Sequence, residues 1–226
     1  MSFVNEYLGA SRRAVNPIRQ RVKANVPAVV LTLLGIIQAF AVDLLWSFVV
    51  ADSEIYQLSL PALITWLQIL SLVAGMLMIW LIYAMNVSRF VWVPTMSEFV
   101  TPFWVGFLQV LSIHCLKFDN PGAWFISFAL IIATMNWIAH STMKRARLEP
   151  DNAEFFNSRG TASASDFYPV FAVIGTMLAA GLGFLFIGVN QWVLLITLVF
   201  GVGGYCVWQT YNLRVWWQQS VFEAEA

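Results

Sequence analysis

The chain has 226 residues and no net charge, with 60% hydrophobic and 11% charged side chains and a mean hydropathy of +0.73. A soluble domain carries roughly 25% charged residues, and so few charges cannot cover a globule built mostly from apolar side chains. These figures, with only two Cys, exclude a disordered chain, a nucleic-acid module and a disulfide scaffold. They imply an all-α, polytopic membrane protein.

A membrane-crossing helix needs about 20 mostly apolar residues. In chain order, the sequence predicts six: Val26 to Val50, Leu60 to Ala84, Phe99 to Leu116, Ala123 to Thr142, Tyr168 to Val189 and Gln191 to Tyr211. None alternates polar and apolar as a barrel strand does. Short connections force neighbouring helices to be antiparallel, and Lys117 to Gly122 is a Pro/Gly turn. The one long connection is Met143 to Phe167. The expected organisation is a basic N-terminal segment (1–25), a four-helix transmembrane block (26–142), a loop (143–167), a transmembrane helical hairpin (168–211) and a tail (212–226).

Basic residues orient such a bundle. With the N-terminus cytoplasmic, eleven Lys and Arg fall inside and Lys117 alone outside. Six helices then return the C-terminus to the cytoplasm, and a bacterial inner membrane is the expected location. Arg12, Arg13, Arg19, Arg21 and Lys23 read as an anchor on anionic lipid headgroups; a docking helix for a cytoplasmic partner is the alternative. The fourth helix is expected to continue through Arg147. Glu149 to Asn152 then form a turn, followed by a short helix through Phe156.

Trp46, Trp66, Trp124 and Trp192 fall near the predicted outer boundary, and Trp92, Trp216 and Trp217 near the inner one, as an aromatic belt. Trp80, Trp104 and Trp137 lie deeper and read as packing residues.

A charge within the hydrocarbon is costly and points to function. Asp43 is the clearest case. It shares a helical face with Gly35, Gln38, Ala39 and Trp46 that is expected to point into the bundle. Depth groups it with His114, Gln68 and Gln109. A second group, Glu98, Asn136 and His140, lies toward the inner boundary. An Asp–His pair could hold or share a proton, so these seven residues are candidates for a proton or cation path. Glu98 has a plainer reading as a helix cap with Ser97. Pro102 removes the bond to the Glu98 carbonyl, and is read as a first-turn proline. Gly175, Ala179 and Gly183 form a small-residue stripe that lets helices approach closely.

No motif of a zinc peptidase, nucleophile elbow, phosphate loop or retinal lysine occurs. Neither a cofactor nor a metal is expected, and an enzyme is disfavoured. Two functions stand level. One is a small proton or cation channel or transporter using Asp43. The other is a non-catalytic subunit or assembly factor of a larger membrane complex, with a homo-oligomer possible. The bilayer is the expected partner, and nucleic acid is not.

Overall fold

A computed structural model describes residues 17–157, 164–188 and 190–221. It is helical, with no strand among the described residues. Helix α1 is Pro17–Ala51, α2 Leu60–Arg89, α3 Met96–Lys117, α4 Pro121–Ala146, α5 Ala153–Asn157 and α6 Tyr168–Ile187. A final span begins with α7 (Gln191–Ile196), passes through a π-helical segment (Thr197–Gly203) and ends in α8 (Gly204–Val221). Six helices are thus long and apolar enough to cross a membrane, the architecture of a multi-pass membrane protein.

The ends of the spans are set by local chemistry. Ser59 accepts a hydrogen bond from the Ala62 amide at the start of α2. Asn120 does the same for Ala123 at the start of α4, followed by Pro121 in the first turn. Gly188 closes α6 in the left-handed region at φ +71°. Several helices outrun their predicted apolar cores. The basic stretch Pro17 to Lys23 forms the first turns of α1, and α8 continues ten residues beyond Tyr211, to Val221. Arg12, Arg13 and Arg159 lie outside the described residues.

Packing partners close into a ring in the order α1, α3, α4, α6, the final span, α2 and back to α1. The most extensive pairing is α4 with α6, so the C-terminal helices are integral to the bundle. A Cβ on Gly181 would sit 2.8 Å from the Gly122 carbonyl oxygen, and one on Gly122 would sit 2.9 Å from that of Gly181. Only glycine permits this approach. Inside the ring α2 also touches α4, where Gly75 meets the Phe128 ring. This contact divides the interior. One compartment lies among α1 to α4, and the other among α2, α4, α6 and the final span.

Several expectations are revised. The buried side of α1 runs through Leu34, Gln38, Ala41 and Leu45, and Asp43 is exposed. At about 100° per residue, Asp43 lies far round the helix from both Ala41 and Leu45. Gly175 and Ala179 are also exposed, and nothing lies within 4 Å of a Cβ on Gly175. The helix contact belongs instead to Met177, Ala180 and Gly181 on the other side of α6. Trp92 and Trp124 are fully buried, whereas Trp80, Trp104 and Trp137 are exposed. Depth along a helix does not specify the side on which an indole falls. Pro102 lies inside α3, buried, rather than in its first turn.

Candidate functional site

The compartment among α2, α4, α6 and the final span holds a half-open chamber of about 520 Å³. That volume is in the range of small-molecule sites. Its lining begins midway along the helices, at Gly75, Phe128 and Val202, and runs to Arg89, Met143 and Trp216 at their ends. Fourteen residues separate Gly75 from Arg89, which is about 21 Å along the axis. The chamber is therefore long and confined to one half of the bundle.

Most of its wall is apolar, including Met78, Ile79 and Ile82 on α2 and Ile131, Ile132 and Met135 on α4. Methionine suits such a wall because its thioether chain adapts to what it touches. Polar side chains are interspersed along the same length, Asn136 and His140 on α4 and Gln209 on α8 among the apolar residues and Asn86 on α2 and Asn212 on α8 nearer the Arg89 end. None of these five side chains hydrogen-bonds to another described residue. Asn86 is 8% exposed, so its amide has little to face but the chamber. Aromatic groups join them: Phe167, Tyr205, Trp208 and Trp216. The His140 ring meets Phe167 edge to face at 5.2 Å.

Arg89 stands at the same end with its charge held by rings. Its guanidinium lies 5.1 Å from the centroids of Phe90 and Phe155 and 5.0 Å from Trp216. Its chain neighbour Phe90, Phe155 of α5 and Trp216 of α8 thus surround one cation by cation–π attraction.

The other predicted residues fall elsewhere. Glu98 is buried at 3% exposure. One of its oxygens accepts from the Arg145 guanidinium and the other from the Trp92 indole N–H at 2.9 Å. It faces the α1–α4 compartment with Tyr83, Pro102 and Ile138, while Asn136 and His140 turn to the chamber. The predicted Glu98–Asn136–His140 grouping is thus split between two sides of α4. Gln38 donates to the Met76 carbonyl at 3.0 Å. Gln68 and Gln109 are buried. His114 is exposed and stacks on Phe118 at 5.8 Å. Asp43 makes no hydrogen bond or ion pair with a described residue. The outer group is therefore not gathered around a shared cavity.

The connection after α4 is built as a clasp. The Asn152 amide donates to the carbonyls of Val91 at 2.6 Å and Ala146 at 2.7 Å, and its oxygen accepts from the Val91 amide at 3.1 Å. Phe155 and Phe156 pack on Phe90 at 5.0 and 5.3 Å. Glu149 pairs with Lys23 and with Arg19, the latter at 2.8 Å, and Lys23 also reaches Asp151 at 3.5 Å. Burial pushes the Glu149 carboxyl up, but the hydrogen bonds and charges of Lys23 and Arg19 hold it below its ordinary value. Two of the cations expected to meet lipid are thus engaged by this loop.

Asn86, Arg89, Gln209 and Asn212 were not among the sequence candidates. A faint signal exists in their spacing. Tyr205, Gln209, Asn212 and Trp216 follow one another at four, three and four residues, the step of one helical face. Asn136 and His140 are four apart in the same way. No family model, no curated protein and no solved structure matches the chain.

Proposed function

We propose that this is a membrane-embedded binding protein that takes up a long, largely apolar molecule between α2, α4, α6 and the final span, as a carrier or a holding site. The observation that carries this reading is the chamber itself: about 520 Å³, with a mostly apolar wall and a few polar side chains among it. Such a lining suits an amphiphile lying parallel to the helices. A hydrated ion path would ask for polar groups along its whole length, and here apolar side chains make up most of the wall. Asp43, exposed on α1, has no place in the chamber.

The test is retention of a native occupant. Organic extracts of the protein purified in mild detergent are expected to contain a bound amphiphile, read by mass spectrometry. Ala139 lines the chamber, and Ala139→Trp obstructs it. Retention is expected in the wild type and lost in this variant. Equal retention by both, or none by the wild type, would overturn the reading.

A second reading, subunit of a larger assembly, is favoured by Asp43. It lies eight residues from the end of α1, about 12 Å along the axis. It is flanked on the exposed surface by Val42, Leu44 and Trp46. A carboxylate so placed in a bilayer calls for a donor from another chain. A single species at the protomer mass in mild detergent, unchanged by Asp43→Leu, would exclude it.

A further inference from the structure

We infer that the outward face of α1 and α3 is covered by a second copy of this chain, with Asp43 of each copy paired to His114 of the other. This rests on the subunit reading of Asp43 and names the partner.

The first ground is height. Val30 and Leu34 of α1 border the same small cavity as Glu98 and Pro102 of α3, and further along a Cβ on Gly106 would run into the Ile37 side chain. Contacts that advance together along both helices mean that α1 and α3 lie side by side and run in the same direction. From the Ile37–Gly106 contact, Asp43 lies six residues on, about 9 Å, and His114 eight residues on, about 12 Å. The carboxylate and the imidazole thus stand within about 3 Å of one level. Lys117 is almost a turn higher, at the end of α3.

The second ground is direction. Asp43 lies across α1 from the buried Leu34, Ala41 and Leu45, and His114 lies across α3 from the buried Val105, Gln109 and Leu116. Both side chains are exposed, and neither makes a hydrogen bond or ion pair with a described residue. They point outward from neighbouring helices rather than at each other. Lipid offers a carboxylate at this depth no donor, and a partner surface must supply one.

The third ground is self-complementarity. A two-fold axis parallel to the helices keeps every residue at its own level and lays α1 of one copy on α3 of the other. In such a contact residue i meets j and j meets i. The carboxylate accepts, and the imidazole donates from one nitrogen when neutral and from both when charged. One face thus carries both halves of the pair, and two copies make it twice. Shape agrees with this. Phe107 and Ala39 lie one and two residues beyond the same Gly106–Ile37 contact and are both exposed, so the bulky ring of one copy comes level with the small side chain of the other, which lets the helices approach.

The mass of the full chain in mild detergent tests this. The wild type is expected at twice the 25.5 kDa protomer mass. Self-association should weaken about tenfold in Asp43→Leu and in His114→Leu, each of which removes both hydrogen bonds. The exchanged variant Asp43→His/His114→Asp should recover it. Differently tagged Asp43→Leu and His114→Leu chains, when mixed, should prefer each other to themselves, because only the mixed pair keeps one Asp–His contact. The wild-type mass decides even where a variant does not fold. A two-copy species untouched by either single substitution, or not recovered by the exchange, would overturn the pairing. A larger species that holds a different chain and is lost in Asp43→Leu would overturn the second copy and leave the subunit reading standing. Protomer alone in the wild type, unchanged by Asp43→Leu, would overturn both.

Discussion

Arg145, next to the last residue of α4, donates a hydrogen bond to the carboxylate of Glu98 in the first turn of α3, 47 residues away in sequence. The Glu98 side chain is 3% exposed and that of Arg145 23%. The pair ties the ends of two antiparallel helices at one end of the bundle. Trp92 completes the shell of the carboxylate, and Ser141 accepts from the other arm of the guanidinium at 2.8 Å.

Removing one member should cost more than removing both. Arg145→Leu leaves a buried carboxylate with only the Trp92 donor, a loss expected near 3 kcal/mol, whereas joint replacement by apolar residues is expected to cost much less. A double-mutant cycle on unfolding in mixed detergent checks this. Additive losses would mean that the two charges do not act as a pair.

Asn152 should matter more than a loop residue ordinarily does. Its side chain satisfies two carbonyls and one amide from two separate segments. Asn152→Ala strips all three, with an expected loss of about 2–3 kcal/mol at roughly 1 kcal/mol per bond. Hydrogen exchange should show the Val91 amide opening early in the variant. Unchanged protection there would contradict the clasp.

Acid should loosen the attachment of α1 to this loop. Lys23 and Arg19 hold the Glu149 carboxyl below its ordinary value despite its burial. A group with a depressed folded pKa stabilises fully above its unfolded value, about 4.3, and that contribution disappears as pH falls through the folded value. Proteolysis within residues 17–25 is thus expected to accelerate only under acid conditions. The Glu149→Gln variant should be accessible already at neutral pH. Acid sensitivity that persists undiminished in Glu149→Gln would assign the effect to another group.

The two faces of α6 should respond oppositely to a methyl group. In Gly181→Ala the Cβ would stand 2.8 Å from the Gly122 carbonyl and 3.1 Å from the Phe125 Cβ, so α4 and α6 must separate, at about 1–3 kcal/mol. At Gly175 the space is open, and Gly175→Ala should be neutral or gain up to about 1 kcal/mol from helix propensity. Thermal unfolding of the two variants in detergent compares them directly. Equal effects would mean that the α4–α6 contact is not as tight as Gly122 and Gly181 indicate.

Length and hydrophobicity by themselves determined the number of spans, because an unbroken run of about 20 apolar residues is a local property. Pro/Gly turns and caps such as Asn120 set several of their ends for the same reason. What only the tertiary structure decided is which side of each span faces inward. Helices that are apolar all round carry no amphipathic contrast to read, so Asp43, expected to point inward, is exposed, and Trp92 and Trp124, expected in the aromatic belts near the two boundaries, are buried inside the bundle. Glu98 finds Arg145, and Asn86, His140 and Asn212 meet around one chamber, through contacts between residues far apart in the chain. The glycines at 122 and 181 and the α2–α4 contact bring those helices together, and neither the chamber nor its lining exists until they do.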